Sequence, residues 1–211
     1  MKLVILISGR GSNLKAILDA RLPVEIAAVI SNRPGAAGLD LARGHDIPAL
    51  ALDHKQFASR EDFDSALIEA IDRYQPDLVV LAGYLRILSD GFVAHYAGRL
   101  MNIHPSLLPS FPGLDTHARA LAAGVKIHGC TVHFVTPTLD HGPIILQAAV
   151  AVRSDDTPDT LAARVLGAEH HIFPSAIRWF AEGRLLVQND GRVNLRGADG
   201  SEQALFITGI P

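Results

Sequence analysis

Near its start the chain carries Leu3-Val4-Ile5-Leu6-Ile7, five apolar residues with no polar position among them. A strand with one wet face alternates apolar and polar residues. A run without alternation must be covered on both sides. Similar runs recur at 25–30, 48–52 and 78–82. Between them the apolar positions follow helical spacing. One helix is expected from a cap at Ser12 or Asn13 to about residue 21, a second over 36–44 ending at a glycine, and a third over 59–74. The third opens with Ser59-Arg60-Glu61-Asp62, which places acids at the positive end of the helix dipole, and Pro76 lies beyond its end. Strand–helix alternation of this kind specifies an α/β chain with a Rossmann-like, doubly wound, mostly parallel sheet and helices on both faces.

The second half is less regular. A helix is expected over 89–96 and a strand over 100–104, stopped by Pro105. A Pro-rich stretch follows, from His104-Pro105-Ser106 to Pro112-Gly113. Loops this long and stiff are often functional. Residues 129–135 and 144–152 read as strands, separated by Thr136-Pro137-Thr138-Leu139-Asp140-His141-Gly142. A helical stretch over 159–181 is expected to be interrupted at Pro174. Residues 184–188 and 193–196 read as a hairpin turning at Asp190-Gly191, which gives the C-terminal part an antiparallel character, and the last residues read as a tail. One domain is expected over 1–188, with a phosphate-binding half at 1–100 and a catalytic and folate half at 101–188. The hairpin and tail take up 189–211.

Apolar residues at 48% of 211 can bury a substantial core, and 19% charged residues are too few for a disordered chain. Net charge is −3 and no run of Lys or Arg exceeds two, which argues against nucleic acid or a membrane surface as partner. The lone cysteine, Cys130, lies in an apolar run, as a small core residue does, and has no partner for an internal disulfide, which fits a reducing compartment. The first apolar run is too short for a signal sequence or a membrane span, so a cytoplasmic location is expected.

Two places carry chemistry. The first is Ser8-Gly9-Arg10-Gly11-Ser12-Asn13, between a strand and a helix. Glycines let the backbone approach a ligand, and a helix N-terminus offers free N–H groups to a phosphate. A dinucleotide fingerprint would place glycine where Leu14 stands, and would end the second strand on an acid rather than on Ser31-Asn32. A phosphate cradle and a plain capped turn both remain open at this point, and Arg33 keeps an NADP reading in view. The second place is Asn102-Ile103-His104. Residues two apart on a strand share a face, and these lie at its C-terminal end, where open α/β sheets bind ligands. Asn102 can donate to a developing oxyanion. His104 can donate and move a proton. Asp140 is the candidate orienting partner, although an ordinary turn acid reads the same way. The histidines show no metal-ligand spacing with a third ligand, so no metal is expected. A serine-hydrolase elbow is absent.

These residues resemble the glycinamide ribonucleotide formyltransferase family. The matching stretches are Ile7-Ser8-Gly9-Arg10-Gly11-Ser12-Asn13-Leu14, Val80-Leu81-Ala82-Gly83-Tyr84-Leu85-Arg86-Ile87-Leu88, Asn102-Ile103-His104-Pro105-Ser106-Leu107-Leu108-Pro109 and Leu139-Asp140-His141-Gly142-Pro143-Ile144. Order and spacing agree to about residue 180. The Asn-x-His-Pro stretch is specific to formyltetrahydrofolate-dependent enzymes.

The resemblance implies a one-carbon transferase of de novo purine biosynthesis. Its co-substrate would be 10-formyltetrahydrofolate, its acceptor glycinamide ribonucleotide, and its products formylglycinamide ribonucleotide and tetrahydrofolate. It would work without metal, as a monomer or homodimer. It implies that Gly11, Ser12 and Asn13 hold the substrate phosphate and that Glu169 contacts the ribose. Arg60 would lie on the folate side. Leu85, Arg86, Ile87, Leu88, Asn102, Val135, Thr136 and Asp140 would line the folate site, and Asn102, His104 and Asp140 would be catalytic. The expected chemistry is direct transfer through a tetrahedral intermediate, with a carboxylate beside His104 favouring the imidazolium. Two departures stand out: His141 where the family often has glycine, and Ser110-Phe111 in place of a basic-aromatic pair. Rival readings are a formyltetrahydrofolate hydrolase, a methionyl-tRNA formyltransferase, an NADP-dependent dehydrogenase and a non-catalytic nucleotide-binding module.

Overall fold

The computed structural model describes residues 1–198 and 201–207. Backbone contacts divide the chain into two compact units: Met1–Asn102 with Val135–Pro137, and Ile103–Phe134 with Thr138 onward.

In the first unit, β1 (Lys2–Ile7) leads into α1 (Ser12–Asp19), β2 (Glu25–Ser31), α2 (Ala37–Gly44), β3 (Ala49–Ala51), α3 (Arg60–Asp72), β4 (Leu78–Leu81), α4 (Asp90–His95) and the start of β5 (Leu100–His104). The strands lie in the order β5-β4-β1-β2-β3 and every neighbouring pair is parallel. This is the α/β, doubly wound arrangement that the apolar runs demanded. β1 is buried on both faces: Leu3 to Ile7 are all at 0% exposure, which is why it carries no alternation. Its Val4 and Leu6 join Phe63, Leu67 and Ile71 of α3 and Phe92 of α4 in one core cluster. Side chains alternate along a strand, so Ile5 and Ile7 face the other way. Ile7 approaches Gly38 of α2. Ser59 and Ser89 cap α3 and α4, their hydroxyls accepting from Asp62 N and Phe92 N. Such caps are worth about 1 kcal/mol each.

The second unit continues β5 through Ile103 and His104 and adds α5 (Thr116–Ala122), β6 (Ile127–Phe134), β7 (Ile144–Ala151), α6 (Pro158–Ala181), β8 (Leu185–Val187), β9 (Val193–Leu195) and β10 (Ala204–Ile207). β6 and β7 are antiparallel, β10 runs parallel to β7, and β8 and β9 form the expected hairpin. α6 packs on β6 and β7 and buries Leu161, Val165, Ala168, Ile172 and Ile177. Its start is fixed by a capping box between Thr157 and Thr160, with Pro158 in the first turn. Arg164 adds a bidentate bond to Asp156 at 2.8 and 2.9 Å and a bond to Ala151 O at 3.0 Å.

Four local expectations are corrected. The N-cap of α1 is Gly11, in the left-handed region at φ 80°, and no side chain caps the helix, so Ser12 and Asn13 lie inside it. Pro174 does not interrupt α6, which runs 24 residues through it. Pro174 is buried, and the helix continues on both sides of its missing N–H. α5 lay between the expected elements and was not foreseen. The tail is not featureless, because 204–207 pair with β7, whereas 208–211 lie outside the described residues.

Candidate active site

Ser8-Gly9-Arg10-Gly11 crosses from β1 to α1 in the first unit. Gly11 needs its positive φ, and it also needs to lack a side chain. A Cβ there would stand 2.9 Å from the Cα of Gly38. A Cβ on Gly38 would stand 2.5 Å from Ile7 Cδ1 and 3.2 Å from Gly11 Cα. The starts of α1 and α2 therefore touch backbone to backbone, and Gly38 N donates to Gly9 O at 3.1 Å. Gly11 O takes the first helical bond of α1, from Lys15 N at 2.8 Å. The N–H groups of Ser12, Asn13 and Leu14 precede the first helical donor, and no acid lies in that turn to compete with an anion. Such a terminus receives a phosphate. Ser31 ends β2 and Asn32 follows it, with no carboxylate there for a ribose.

Also in the first unit, the segment after β4 presents Leu85 and Ile87 outward, at 63% and 58% exposure. Arg86 turns inward, its guanidinium carbon 4.7 Å from the centre of the Phe63 ring. A cavity of about 510 Å³ adjoins this segment, lined by Arg60, Ile68, Ile87, Leu88, Phe92, His95 and Pro137 among others. It combines an apolar wall with the Arg60 guanidinium at one side, and Glu61 and Asp90 also lie on its lining. Beneath it, Asp64 is buried and accepts from Ser89 N at 2.5 Å. Burial pushes the Tyr84 hydroxyl well above its usual range, and the Asp64 charge adds to this.

In the second unit, His104 and Asp140 meet. His104 Nδ1 lies 3.5 Å from Asp140 Oδ2, with both side chains below a tenth exposed. His104 Nε2 donates to Phe111 O at 3.1 Å. Both ring nitrogens thus face oxygen atoms, Nδ1 the Asp140 carboxylate and Nε2 the Phe111 carbonyl. Asp140 Oδ2 also accepts from Gly113 N at 2.8 Å. That bond holds the carboxylate in place against the loop after His104. Asp140 stands at φ 52°, a left-handed conformation that Asp tolerates better than most residues.

The loop from Pro105 to Gly113 is fixed by polar side chains on β6 and β7. Thr131 Oγ1 donates to Ser106 O at 2.7 Å and accepts from Leu108 N at 3.0 Å, and Gln147 donates to Leu108 O at 2.9 Å. Gly129 is required by close approach, since a Cβ would stand 2.0 Å from Ala148 O. Three histidines that sequence reasoning passed over lie nearby. Burial lowers His117 and His133 and pushes His128 down to about 4. The positive charge of His104 acts against all three, and the Asp140 charge partly offsets burial at His133. A signal for His133 was present: Gly129, Thr131 and His133 share one face of β6, a small and polar row inside an apolar run.

Glu169 is buried on α6, and its charge adds to the burial that holds the Cys130 thiol well above its usual range. Cys130 is therefore a thiol of the core rather than a nucleophile. Val135 donates from its N–H to Leu100 O at 2.9 Å, and Thr136 follows it in the first unit. Among the described residues there is no cluster of three or more His, Cys, Asp or Glu able to hold a metal, and no helix is long and apolar enough to cross a membrane.

A profile of the formyl transferase family matches residues 1–177. The chain belongs to the formyl transferase family. It is 54% identical over 189 residues to the phosphoribosylglycinamide formyltransferase of Escherichia coli, an alignment covering 88% of this chain and 89% of that protein. It is 47% identical over 196 residues to the trifunctional purine biosynthetic protein adenosine-3 of Bos taurus, covering 91% of this chain but only 19% of that longer protein. Among solved structures, the phosphoribosylglycinamide formyltransferase of Coxiella burnetii in complex with CHES superposes with a TM-score of 0.90 at 49% identity, over 99% of both chains. In this formyl transferase the matched region takes in the glycine loop, the 85–88 segment and His104 with Asp140, and it ends inside α6.

Proposed function

We propose that this formyl transferase moves the formyl group of 10-formyltetrahydrofolate onto the amine of glycinamide ribonucleotide, giving formylglycinamide ribonucleotide and tetrahydrofolate in de novo purine biosynthesis. Residues 1–188 act as one formyltransferase domain, with phosphate binding in 1–100 and catalysis in 101–188. The observation that carries the reading is the His104 imidazole set between the Asp140 carboxylate and the Phe111 carbonyl.

In this reading the N–H groups at Gly11, Ser12 and Asn13 hold the substrate phosphate, and Glu169 holds its ribose. The backbone of 85–88, with Val135, Thr136 and Asp140, holds the ring of the folate, and Arg60 pairs with its anionic end. The substrate amine attacks the formyl carbon. A C–N bond forms, the carbonyl π pair moves to oxygen, and a tetrahedral oxyanion results. His104 Nε2 exchanges the Phe111 carbonyl for this oxyanion, and Asn102, two residues away on the same strand, donates a second bond. One such donor is worth about 3 kcal/mol of transition-state stabilisation. Asp140 keeps Nδ1 protonated and turned toward itself. The attacking nitrogen loses a proton and the folate nitrogen gains one; the oxygen pair then re-forms C=O, the bond from the formyl carbon to the folate nitrogen breaks, and the formyl group stays on the substrate amine as tetrahydrofolate leaves. No covalent enzyme intermediate is needed. The substrates are small molecules. Neither nucleic acid nor a metal takes part, and the enzyme works in the cytoplasm as a monomer or homodimer.

The experiment is a His104→Ala protein checked for folding by circular dichroism. Loss of about a hundredfold or more in kcat is expected. Turnover near wild type would remove His104 from the chemistry.

A further inference from the structure

The hydroxyl of Ser8 makes two hydrogen bonds of opposite sense. It accepts from Leu85 N at 2.8 Å and donates to Asn32 Oδ1 at 2.6 Å. Ser8 opens the glycine loop, and Leu85 opens the 85–88 segment. Ser8 and Asn32 are both buried, at 2% exposure. A hydroxyl has one proton to give. Because Asn32 Oδ1 takes it, the Ser8 lone pairs are left for Leu85 N–H.

The backbone of Asn32 is tied in turn. His54 Nδ1 donates to Asn32 O at 2.8 Å. That nitrogen therefore carries the proton, and the 3.4 Å approach of Asn32 Nδ2 to it brings two donors together rather than making a bond. The His54 ring meets Phe63 edge-on at 6.3 Å, and Arg86 lies over Phe63 at 4.7 Å. Contacts thus run from Ser8 through Asn32, His54, Phe63 and Arg86 back to Leu85. The 85–88 segment is pinned at its first residue by the Ser8 hydroxyl and at its second by the stacked guanidinium. Since Leu85 and Ile87 expose their side chains, these inner attachments set where its backbone stands.

We propose that Ser8 is a positioning residue for the formyl carrier: its hydroxyl, aimed by Asn32, holds the Leu85 amide and with it the backbone edge that receives the folate ring. Ser8 touches neither substrate. The proposal rests on the reading that 85–88 is the folate site, and it makes Ser8 the joint between the phosphate loop and that site, both within the first unit.

The test uses Ser8→Ala, Asn32→Leu and the double variant of the full chain, with two readouts. The first is hydrogen exchange at the Leu85 amide in the free protein. Ser8→Ala is expected to raise it about tenfold, as loss of one buried bond implies, while β1 amides stay within twofold of wild type. Asn32→Leu shifts it in the same direction, and the double variant exchanges no faster than Ser8→Ala alone, because Asn32 acts through Ser8. The second readout is steady-state kinetics: the KM for 10-formyltetrahydrofolate rises about tenfold, and that for glycinamide ribonucleotide less than threefold. Unchanged Leu85 exchange, additive effects in the double variant, or exchange rising equally throughout β1 overturns the proposal, as does an equal rise in both KM values. A wild-type protein that does not turn over the folate refutes the folate reading instead, and Leu85 exchange still decides the role of Ser8.

Discussion

Replacing Gly38 by alanine tests whether the glycine loop is the phosphate site, because Gly38 touches the loop without belonging to it. The new Cβ would stand 2.5 Å from Ile7 Cδ1, 3.2 Å from Gly11 Cα and 3.3 Å from Gly9 O. Carbon pairs rest at about 3.5–4.0 Å, so the first contact overlaps by roughly 1 Å. Ile7 is fully buried, and turning its terminal methyl away costs about 0.5–1.5 kcal/mol in an off-rotamer state. The other two contacts are with backbone and cannot rotate away, so α2 and the loop must separate by a few tenths of an ångström. Overpacking of this kind costs about 1–3 kcal/mol, offset by up to about 1 kcal/mol from replacing glycine in a helix. The expected net loss is about 0–3 kcal/mol, or a Tm drop of up to about 12 °C for a chain of this size. Displacing an oriented ligand cradle is costlier, with a 1 Å error worth about a hundredfold. The KM for glycinamide ribonucleotide is therefore expected to rise about tenfold or more, with the KM for the folate little changed. Gly44→Ala, in the same helix but with open space around its Cβ, is the control and should leave both unchanged. A Tm drop in Gly38→Ala with an unaltered KM for the phosphorylated substrate would refute the assignment of the loop.

Three further outcomes are expected. Asp140→Asn keeps an acceptor for Gly113 N and a residue type that tolerates φ 52°, so Tm should stay within about 2 °C while kcat falls about a hundredfold with the loss of charge beside His104; rapid-quench kinetics check this. His128, held down to about 4 by burial, binds a proton in the unfolded chain at about 6.5 but not in the folded one between these values, so stability falls as pH drops through that window. Denaturant titrations should show a shallower fall in His128→Gln, with His117 and His133 keeping part of the slope. Gly129→Ala drives a Cβ to 2.0 Å from Ala148 O in the middle of the β6–β7 pair and should cost about 3 kcal/mol or more, read as a lower urea midpoint.

The first half of the fold was legible because its strands are buried on both sides and its helices are punctuated by Ser59, Ser89 and Pro76, whose roles are local. What was missed depends on distant partners. α5 buries only Thr116 and Ala120, too little for an apolar period, and starts from Asp115 in a left-handed conformation at φ 55°. β10 carries an exposed pattern and takes its register from β7. Pro174 reads locally as a break, and its burial in α6 overrides that. At the site, Asn102, His104 and Asp140 stood out through motif and strand end, whereas no pattern near Gly38 or Ser8 reveals that the first presses on Gly11 and the second holds Leu85. Both roles arise from residues 27 and 77 positions away in the chain.

The claim that this chain catalyses formyl transfer is tested most directly by following 10-formyltetrahydrofolate consumption spectroscopically in the purified protein, with and without glycinamide ribonucleotide. Tetrahydrofolate should appear in step with formylglycinamide ribonucleotide when the amine is present, with no consumption without it. Equal consumption in both cases would make the chain a hydrolase, and none in either would contradict the assignment of His104 and Asp140 altogether.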